Sequence, residues 1–168
     1  MHLLYLISVW LHVLAATAWV GGMFFLVLVV VPWLRSGDRA IAGKFLRETG
    51  ERFRSVGWAC FVIALITGTF NLYVRGVRFG SFTDPVWLSS DFGKAVLAKL
   101  GLFTAVLALS AVHDFSVGPR AARVIERDPD APEAHSLRRQ ASMMGRLNAM
   151  LGLVLVAIGV MLVRGCPS

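Results

Sequence analysis

The composition of this chain is that of a membrane protein. Of its 168 residues, 57% are hydrophobic and only 16% are charged, and the mean hydropathy is +0.68. A soluble domain has about a quarter of its residues charged, so these totals exclude an ordinary soluble enzyme or binding domain. The net charge of +7 could indicate a nucleic-acid partner. However, the basic residues stand in short segments between apolar runs, where they set membrane topology, and we therefore predict no nucleic acid.

Four apolar runs are long enough to cross the hydrocarbon core of a bilayer, which takes about 20 helical residues. Backbone polar groups find no water in lipid, so only helices or closed barrels can span it. These runs are too long and too evenly apolar to be barrel strands. We predict an all-α membrane protein, a four-transmembrane-helix bundle that forms a single domain over residues 1–168. The predicted spans are approximately residues 3–33, 56–74, 92–117 and 147–163.

The distribution of Lys and Arg predicts how the spans are oriented. Twelve of these residues follow the first or the third span: Arg35, Arg39, Lys44, Arg47, Arg52, Arg54, Arg120, Arg123, Arg127, Arg138, Arg139 and Arg146. Four lie at the other ends of the spans: Arg75, Arg78, Lys94 and Arg164. Cytoplasmic loops carry the excess of basic residues, so we predict that the N and C termini both lie on the extracytoplasmic side. The protein is then a multi-pass protein of the cell (cytoplasmic) membrane, with the lipid bilayer as its first partner.

Three smaller features complete this outline. The segment after the first span is predicted to hold a short surface helix with Asp38 as its N-cap. Cys60 lies inside an apolar run, which favours a packed thiol. Together with Cys166 it makes only two cysteines, which are too few for a disulfide scaffold and lack metal-ligand spacing.

Two ionisable residues inside the spans are the main functional candidates, because such groups are costly in a membrane and are usually functional. His12 lies about nine residues into the first span and Lys99 about seven residues into the third, which places both about 10–14 Å deep in the extracytoplasmic half. We predict that they face each other in one interior cavity and bind a cofactor or ligand, either a metal or an anion. The alternative is that Lys99 extends to the headgroups and His12 bonds a backbone carbonyl.

Other candidate ligands share the helix faces of these two residues. Lys99, Val106, Ser110 and His113 form one stripe, and His12, Ala16, Trp19 and Met23 form another. The candidate metal ligands are His12, Met23 and His113. His113 lies about 21 Å along the helix from Lys99, so it belongs to a separate site or has a structural role through Asp114 or a loop arginine. Met23 could combine with Met150 and Met161 as soft copper ligands.

The segment Leu11-His12-Val13-Leu14-Ala15-Ala16-Thr17-Ala18-Trp19-Val20-Gly21-Gly22 resembles the first helix of the copper-resistance D (CopD) family. Asp91-Phe92-Gly93-Lys94 and Leu97-Ala98-Lys99-Leu100-Gly101-Leu102 are similar to the start of that family's third helix. The resemblance covers essentially the whole chain, with His12 and Lys99 at the family's His and Lys positions. It implies a role in copper uptake or tolerance at the cytoplasmic membrane, with a copper ion as ligand and a companion copper protein as partner, and it leaves open whether the protein is an enzyme.

The same His and Lys pattern is also similar to that of the HemJ-type protoporphyrinogen oxidases. This second resemblance implies a membrane oxidoreductase with haem b as cofactor. Ordinary bis-His ligation of haem needs a second histidine near His12, and the predicted spans offer none in that half. Copper handling is therefore the first expectation and a haem-linked oxidoreductase the alternative; a non-catalytic assembly subunit is a third. Four helices leave little room for a pore, which favours a homodimer.

Overall fold

The computed structural model describes residues 1–35, 39–128 and 131–164. All regular secondary structure within these residues is helical, and four helical segments are long and apolar enough to cross a membrane. The four spans are His2–Trp33, Arg47–Val74, Asp91–Ile125 and Pro132–Arg164. The predicted four-helix, all-α membrane fold is confirmed.

The helices extend beyond the apolar runs. The first span consists of the α-helix His2–Phe25, the π-helical segment Leu26–Val30 and the α-helix Val31–Arg35. The second belongs to one α-helix, Arg39–Val74, and the fourth is the α-helix Pro132–Arg164. The third consists of Asp91–Val112, the π-helical segment His113–Val117 and the α-helix Gly118–Arg127. The short connecting helices are Phe79–Thr83 (3₁₀) and Pro85–Ser89 (α).

The expectation of a separate surface helix after the first span was wrong. Residues 39–46 form the first turns of the helix that becomes the second span. Lys, Arg and Glu have high helix propensity, so the helix can continue without interruption from water into the membrane. Asp38, the expected N-cap, lies outside the described residues.

Each π-helical segment ends two residues before a proline, Pro32 in the first span and Pro119 in the third. A proline inside a helix lacks an N–H donor, and its ring clashes with the carbonyl of residue i−4. The wider π turn relieves that clash, with the amide of Gly118 donating to the carbonyl of His113. Pro119 cannot donate to the next carbonyl, that of Asp114, which instead accepts a hydrogen bond from Arg54 at 3.2 Å. These two prolines were the signal in the sequence for both irregular turns.

The connection between the second and third spans is held by specific caps. Gly76 ends the second span with a φ of 88°, and the amide of Val77 donates to the carbonyl of Leu72. Glycine reaches this left-handed conformation without strain, which is why it commonly ends helices. The Ser90 hydroxyl accepts from the amide of Gly93 and starts the third span. A Cβ at Gly93 would lie 2.0 Å from the carbonyl oxygen of Trp87, so this close approach requires a glycine.

The spans pack mainly in two pairs, the first against the second and the third against the fourth. Trp19 lies at their centre and packs against Phe61, with a distance of 5.0 Å between ring centroids. A Cβ on Gly57 would lie 3.5 Å from the Trp19 ring and one on Gly152 would lie 3.1 Å from it. Gly152 therefore makes the space for the indole beside the fourth span, whereas a side chain at Gly57 would meet the ring at an ordinary contact distance. The buried core is Ala15, Trp19, Met23, Cys60, Phe61, Val106 and Ala149.

The two ends of the bundle differ in composition. At one end, which we call the terminal end, the guanidinium of Arg75 donates to the carbonyl of Leu162 at 2.9 Å and to the hydroxyl of Tyr5 at 3.5 Å. These bonds join the second span to both the beginning of the first and the end of the fourth. The opposite end, which we call the basic end, holds Arg54, Arg120 and most of the other arginines. The outward surface between the two ends is apolar, as expected for contact with lipid.

Candidate intramembrane site

His12 is held in the terminal half of the bundle by the second span. Its Nδ1 lies 2.9 Å from the hydroxyl oxygen of Thr67, a buried residue. One turn earlier on the first span, the hydroxyl of Ser8 donates to the backbone carbonyl of Thr67 at 3.3 Å. A Cβ on Gly68 would lie only 3.2 Å from the His12 ring. The close packing at Gly68 and the bond to Thr67 together fix the position of the imidazole.

The hydrogen bonds of Thr67 decide which nitrogen of His12 carries the proton. A hydroxyl has one proton to donate, and that of Thr67 goes to the carbonyl oxygen of Ile63 at 2.6 Å. The Thr67 oxygen must then accept from His12, so Nδ1 is the protonated nitrogen. The backbone carbonyl of Ala64 is also within hydrogen-bonding range of the ring, but a carbonyl can only accept a proton. With Nδ1 protonated, no donor among the described residues therefore occupies the lone pair of Nε2. This is the arrangement in which a histidine binds a metal, with one nitrogen anchored and the other available.

Lys99 lies in the same half of the bundle, on the third span, and is half-buried. Its ammonium is directed at the fourth span, where a Cβ on Gly159 would lie 3.4 Å from Nζ. It makes no hydrogen bond or ion pair with any residue that the structure describes. Arg75 bonds the carbonyl of Leu162, three residues after Gly159 on the same span, so the two cations lie against neighbouring turns of the fourth span. That His12 and Lys99 share a single ligand stays a prediction.

Asn71, on the second span, provides another unused lone pair besides that of His12 Nε2. It lies between Thr67 and Arg75 at intervals of four residues, which places all three on one helix face. Its side-chain oxygen is buried and has no hydrogen-bond partner among the described residues. Thr69, on the same span, is exposed, and its hydroxyl donates to the carbonyl of Leu65.

His113 lies at the basic end, in the π-helical segment of the third span. Its Nδ1 is 3.0 Å from one carboxylate oxygen of Asp114, and the other oxygen accepts from the indole of Trp58 at 3.1 Å. The Arg54 guanidinium lies 5.7 Å from the Phe115 ring centroid, next to its bond with the backbone of Asp114. The cluster joins the second and third spans, and it includes both partners expected for a structural His113, Asp114 and a loop arginine.

A buried polar pair lies between the two histidine sites. The amide of Asn148 on the fourth span donates to the hydroxyl of Ser110 at 2.7 Å, and its own carbonyl oxygen has no partner within the described ranges. Met23 belongs to the apolar core and lies eleven residues after His12, about 16 Å along the helix. One metal therefore cannot bind His12, Met23 and His113 together. Met150 and Met161 are exposed, whereas Met23 is buried in the core; a copper site formed by these three methionines stays a prediction.

The cysteines provide no further ligands. Cys60 is a buried free thiol in the apolar core, as expected of a packed cysteine. Cys166 lies outside the described residues. Within residues 1–35, 39–128 and 131–164, no three His, Cys, Asp or Glu side chains are grouped closely enough to hold a metal ion. Within these residues, a metal at His12 therefore cannot take two further ligands from these four residue types.

Comparison with known proteins identifies the family. The family model of copper resistance protein D matches residues 47–162. A protein of Aquifex aeolicus (strain VF5) of unassigned function is 34% identical over 151 residues, covering 89% of each chain. The copper transport protein CutJ of Bacillus subtilis (strain 168) is 33% identical over 103 residues, which are 61% of this chain and 17% of CutJ. Copper resistance protein D of Pseudomonas syringae pv. tomato is 23% identical over 146 residues, which are 86% of this chain and 45% of that protein.

No solved structure matches this chain significantly. The chain spans less than half of each of the two copper proteins, whereas the family model covers more than two thirds of the chain. The resemblance inferred from the segments around His12 and Lys99 is thus confirmed by the match to residues 47–162, which includes Lys99. The chain is a multi-pass membrane protein that belongs to the copper resistance protein D family.

Proposed function

We propose that the protein handles copper in the cell membrane, for uptake or tolerance, and that His12 is its copper ligand beside Lys99. The observation that supports this most directly is the free Nε2 lone pair of His12, since its Nδ1 is bound to Thr67. Imidazole is a good ligand for copper in both common oxidation states. The names of the CutJ and copper resistance D relatives support the choice of metal.

The site fits a transferred ion better than a permanently bound one. His12 supplies one nitrogen and Asn71 one oxygen, whereas a structural metal site in a protein has three or four ligands. A copper ion held by so few protein ligands exchanges easily. That property suits a protein that passes copper on, with a companion copper protein or a second copy of the chain as partner.

We also propose that the basic end faces the cytoplasm and the terminal end, with both termini, faces outward. In intact cells, a membrane-impermeant maleimide should label a cysteine introduced at Ser81 and should not label one introduced at His135, since basic segments are retained in the cytoplasm. The two positions lie at opposite ends of the bundle; His135 is exposed and Ser81 is half-buried. Labelling at His135 but not at Ser81 would reverse the orientation.

The copper proposal predicts the metal content and absorption spectrum of the purified protein. After incubation with Cu(I) under reducing conditions and removal of excess metal, the protein should retain copper and show no Soret band. A Soret band in protein purified from cells supplied with a haem precursor would instead support the haem alternative. Protein with neither copper nor haem would contradict both functions.

Haem-linked oxidoreduction remains the alternative function and stays a prediction. His113, the other histidine of the four apolar runs predicted from the sequence, lies about 21 Å along the third span from Lys99. Its Nδ1 bonds Asp114 at the basic end. His12 and His113 therefore cannot be the two axial ligands of one haem, and a haem at His12 would need a different second ligand.

A further inference from the structure

The terminal half of the bundle has an excess of positive charge around His12. The ammonium of Lys99 lies against Gly159 of the fourth span, and the guanidinium of Arg75 bonds the carbonyl of Leu162, about one turn further along the same span. Arg75 is held in place by its bonds to Tyr5 and Leu162, which use only two of the five N–H groups of a guanidinium. Neither cation is paired with a carboxylate among the residues that the structure describes.

Carboxylate side chains are almost confined to the other end. Of the ten acidic residues in the sequence, only Asp84 and Asp91 belong to the segment between the second span and the body of the third. Asp84 accepts the amide of Val86 as an N-cap. Asp91 is exposed and lies eight residues before Lys99, about 12 Å along the helix. Neither Asp84 nor Asp91 therefore provides a counter-charge for the ammonium of Lys99.

A bare copper ion does not match such a site. Two cations repel it, and a charge within a span costs several kcal/mol unless it is compensated. The same region nevertheless offers two free lone pairs, those of His12 Nε2 and the Asn71 oxygen. Lone pairs beside unpaired cations fit a ligand that has both an electron-accepting centre and a negative charge. A metal ion that carries an anion has this combination.

We propose that Lys99 and Arg75 bind a small anion, such as a halide or a carboxylate, and that copper reaches His12 together with this anion. The anion completes the metal's coordination, which His12 alone cannot do. It also neutralises Lys99 within the membrane. The copper half of this inference rests on the proposed function, whereas the anion half does not.

The anion site is tested without copper, in nanodiscs of zwitterionic lipid. Chloride replaces the bulky anion gluconate at constant ionic strength, and the midpoint of thermal unfolding is followed by tryptophan fluorescence. At chloride ten times above its dissociation constant, we expect the midpoint to rise by about 3–6 °C. The rise should disappear in Lys99→Met and persist in Lys94→Met, which removes the same charge from an exposed position at the start of the same span.

Two results would overturn the anion site: no rise in the wild type, or an equal rise in Lys99→Met. Nanodiscs that contain phosphatidylglycerol separate two sources of anion. The bound anion is a lipid phosphate if two effects appear in these nanodiscs: the unfolding midpoint of the wild type is higher than in zwitterionic lipid before chloride is added, and chloride no longer raises it. Lys99→Met should then show neither effect. If the response to chloride is unchanged, it is a free anion.

The link to copper is tested separately, by the ratio of the Cu(I) affinities of the wild type and Lys99→Met in chloride and in gluconate. Both proteins meet the same copper species in solution, so the ratio removes the effect of chloride complexes. We expect the affinity of the wild type divided by that of Lys99→Met to be about tenfold higher in chloride than in gluconate, because coupling of this size is typical of two linked ligands. An equal ratio would disprove the coupling while the copper function stands. Absence of copper binding with an intact chloride response would disprove the copper function and leave the anion site.

Discussion

Replacing His12 with glutamine should reduce the Cu(I) affinity of the purified protein more than 100-fold. Loss of a hydrogen-bond partner behind a metal-binding histidine typically costs 10–100-fold, and loss of the ligand itself should cost more. Glutamine is polar and close to histidine in length, so the bundle should still fold. The affinity is measured by competition with a Cu(I) chelator under reducing conditions. His135→Gln is the matched control, because His135 is exposed at the basic end and should bind copper as the wild type does.

A second pair of variants tests whether the hydrogen bond that orients His12 contributes to Cu(I) binding while His12 itself is kept. Thr67→Val removes the hydroxyl that accepts from Nδ1 and should weaken Cu(I) binding by about 10–100-fold. Thr69→Val removes an exposed hydroxyl that likewise bonds the carbonyl four residues earlier and should have no effect. If His12→Gln binds Cu(I) with the affinity of the wild type, His12 is not a copper ligand. Equal effects of the two threonine variants would show that Thr67 does not position it.

Replacing Trp19 with alanine should lower the free energy of unfolding by about 3 kcal/mol, the lower end of the range for buried aromatic residues in soluble proteins. The lower end applies because the separated helices remain in lipid, so the loss is one of packing rather than of transfer from water. Trp19 is 7% exposed and packs among Gly57, Phe61 and Gly152. The cavity left in that space cannot close easily, since two of its walls are backbone.

Trp10→Ala is the control for this prediction. Trp10 lies on the same helix and is 62% exposed towards lipid, so its removal should change stability by less than about 0.5 kcal/mol. Unfolding is followed by far-ultraviolet circular dichroism during titration with a denaturing detergent. Similar losses in the two variants would show that Trp19 is not a central packing residue.

The helices and their number follow from the sequence because lipid imposes a simple condition. A run of about 20 apolar residues can satisfy its backbone polar groups only as a helix, so the four spans could be predicted from composition alone. Their polar residues could also be identified as candidates, since each is costly in lipid. The depths of His12 and Lys99 were predicted by counting residues at a constant helical rise, and they stay predictions.

What a linear pattern does not contain is which helix faces which. Only the tertiary structure placed Thr67 behind His12, and Gly68 and Gly159 beside His12 and Lys99. Only the tertiary structure showed that Trp58 and His113 hydrogen-bond to the two carboxylate oxygens of Asp114. Apolar helices can pack against one another in many rotations at similar energy, because lipid is as apolar as their side chains. The choice among them depends on small glycine contacts and single hydrogen bonds between residues that are far apart in sequence. For this protein, the sequence by itself determined four membrane helices and the residues worth examining, and the packing of those helices decided which lone pairs and charges are left free.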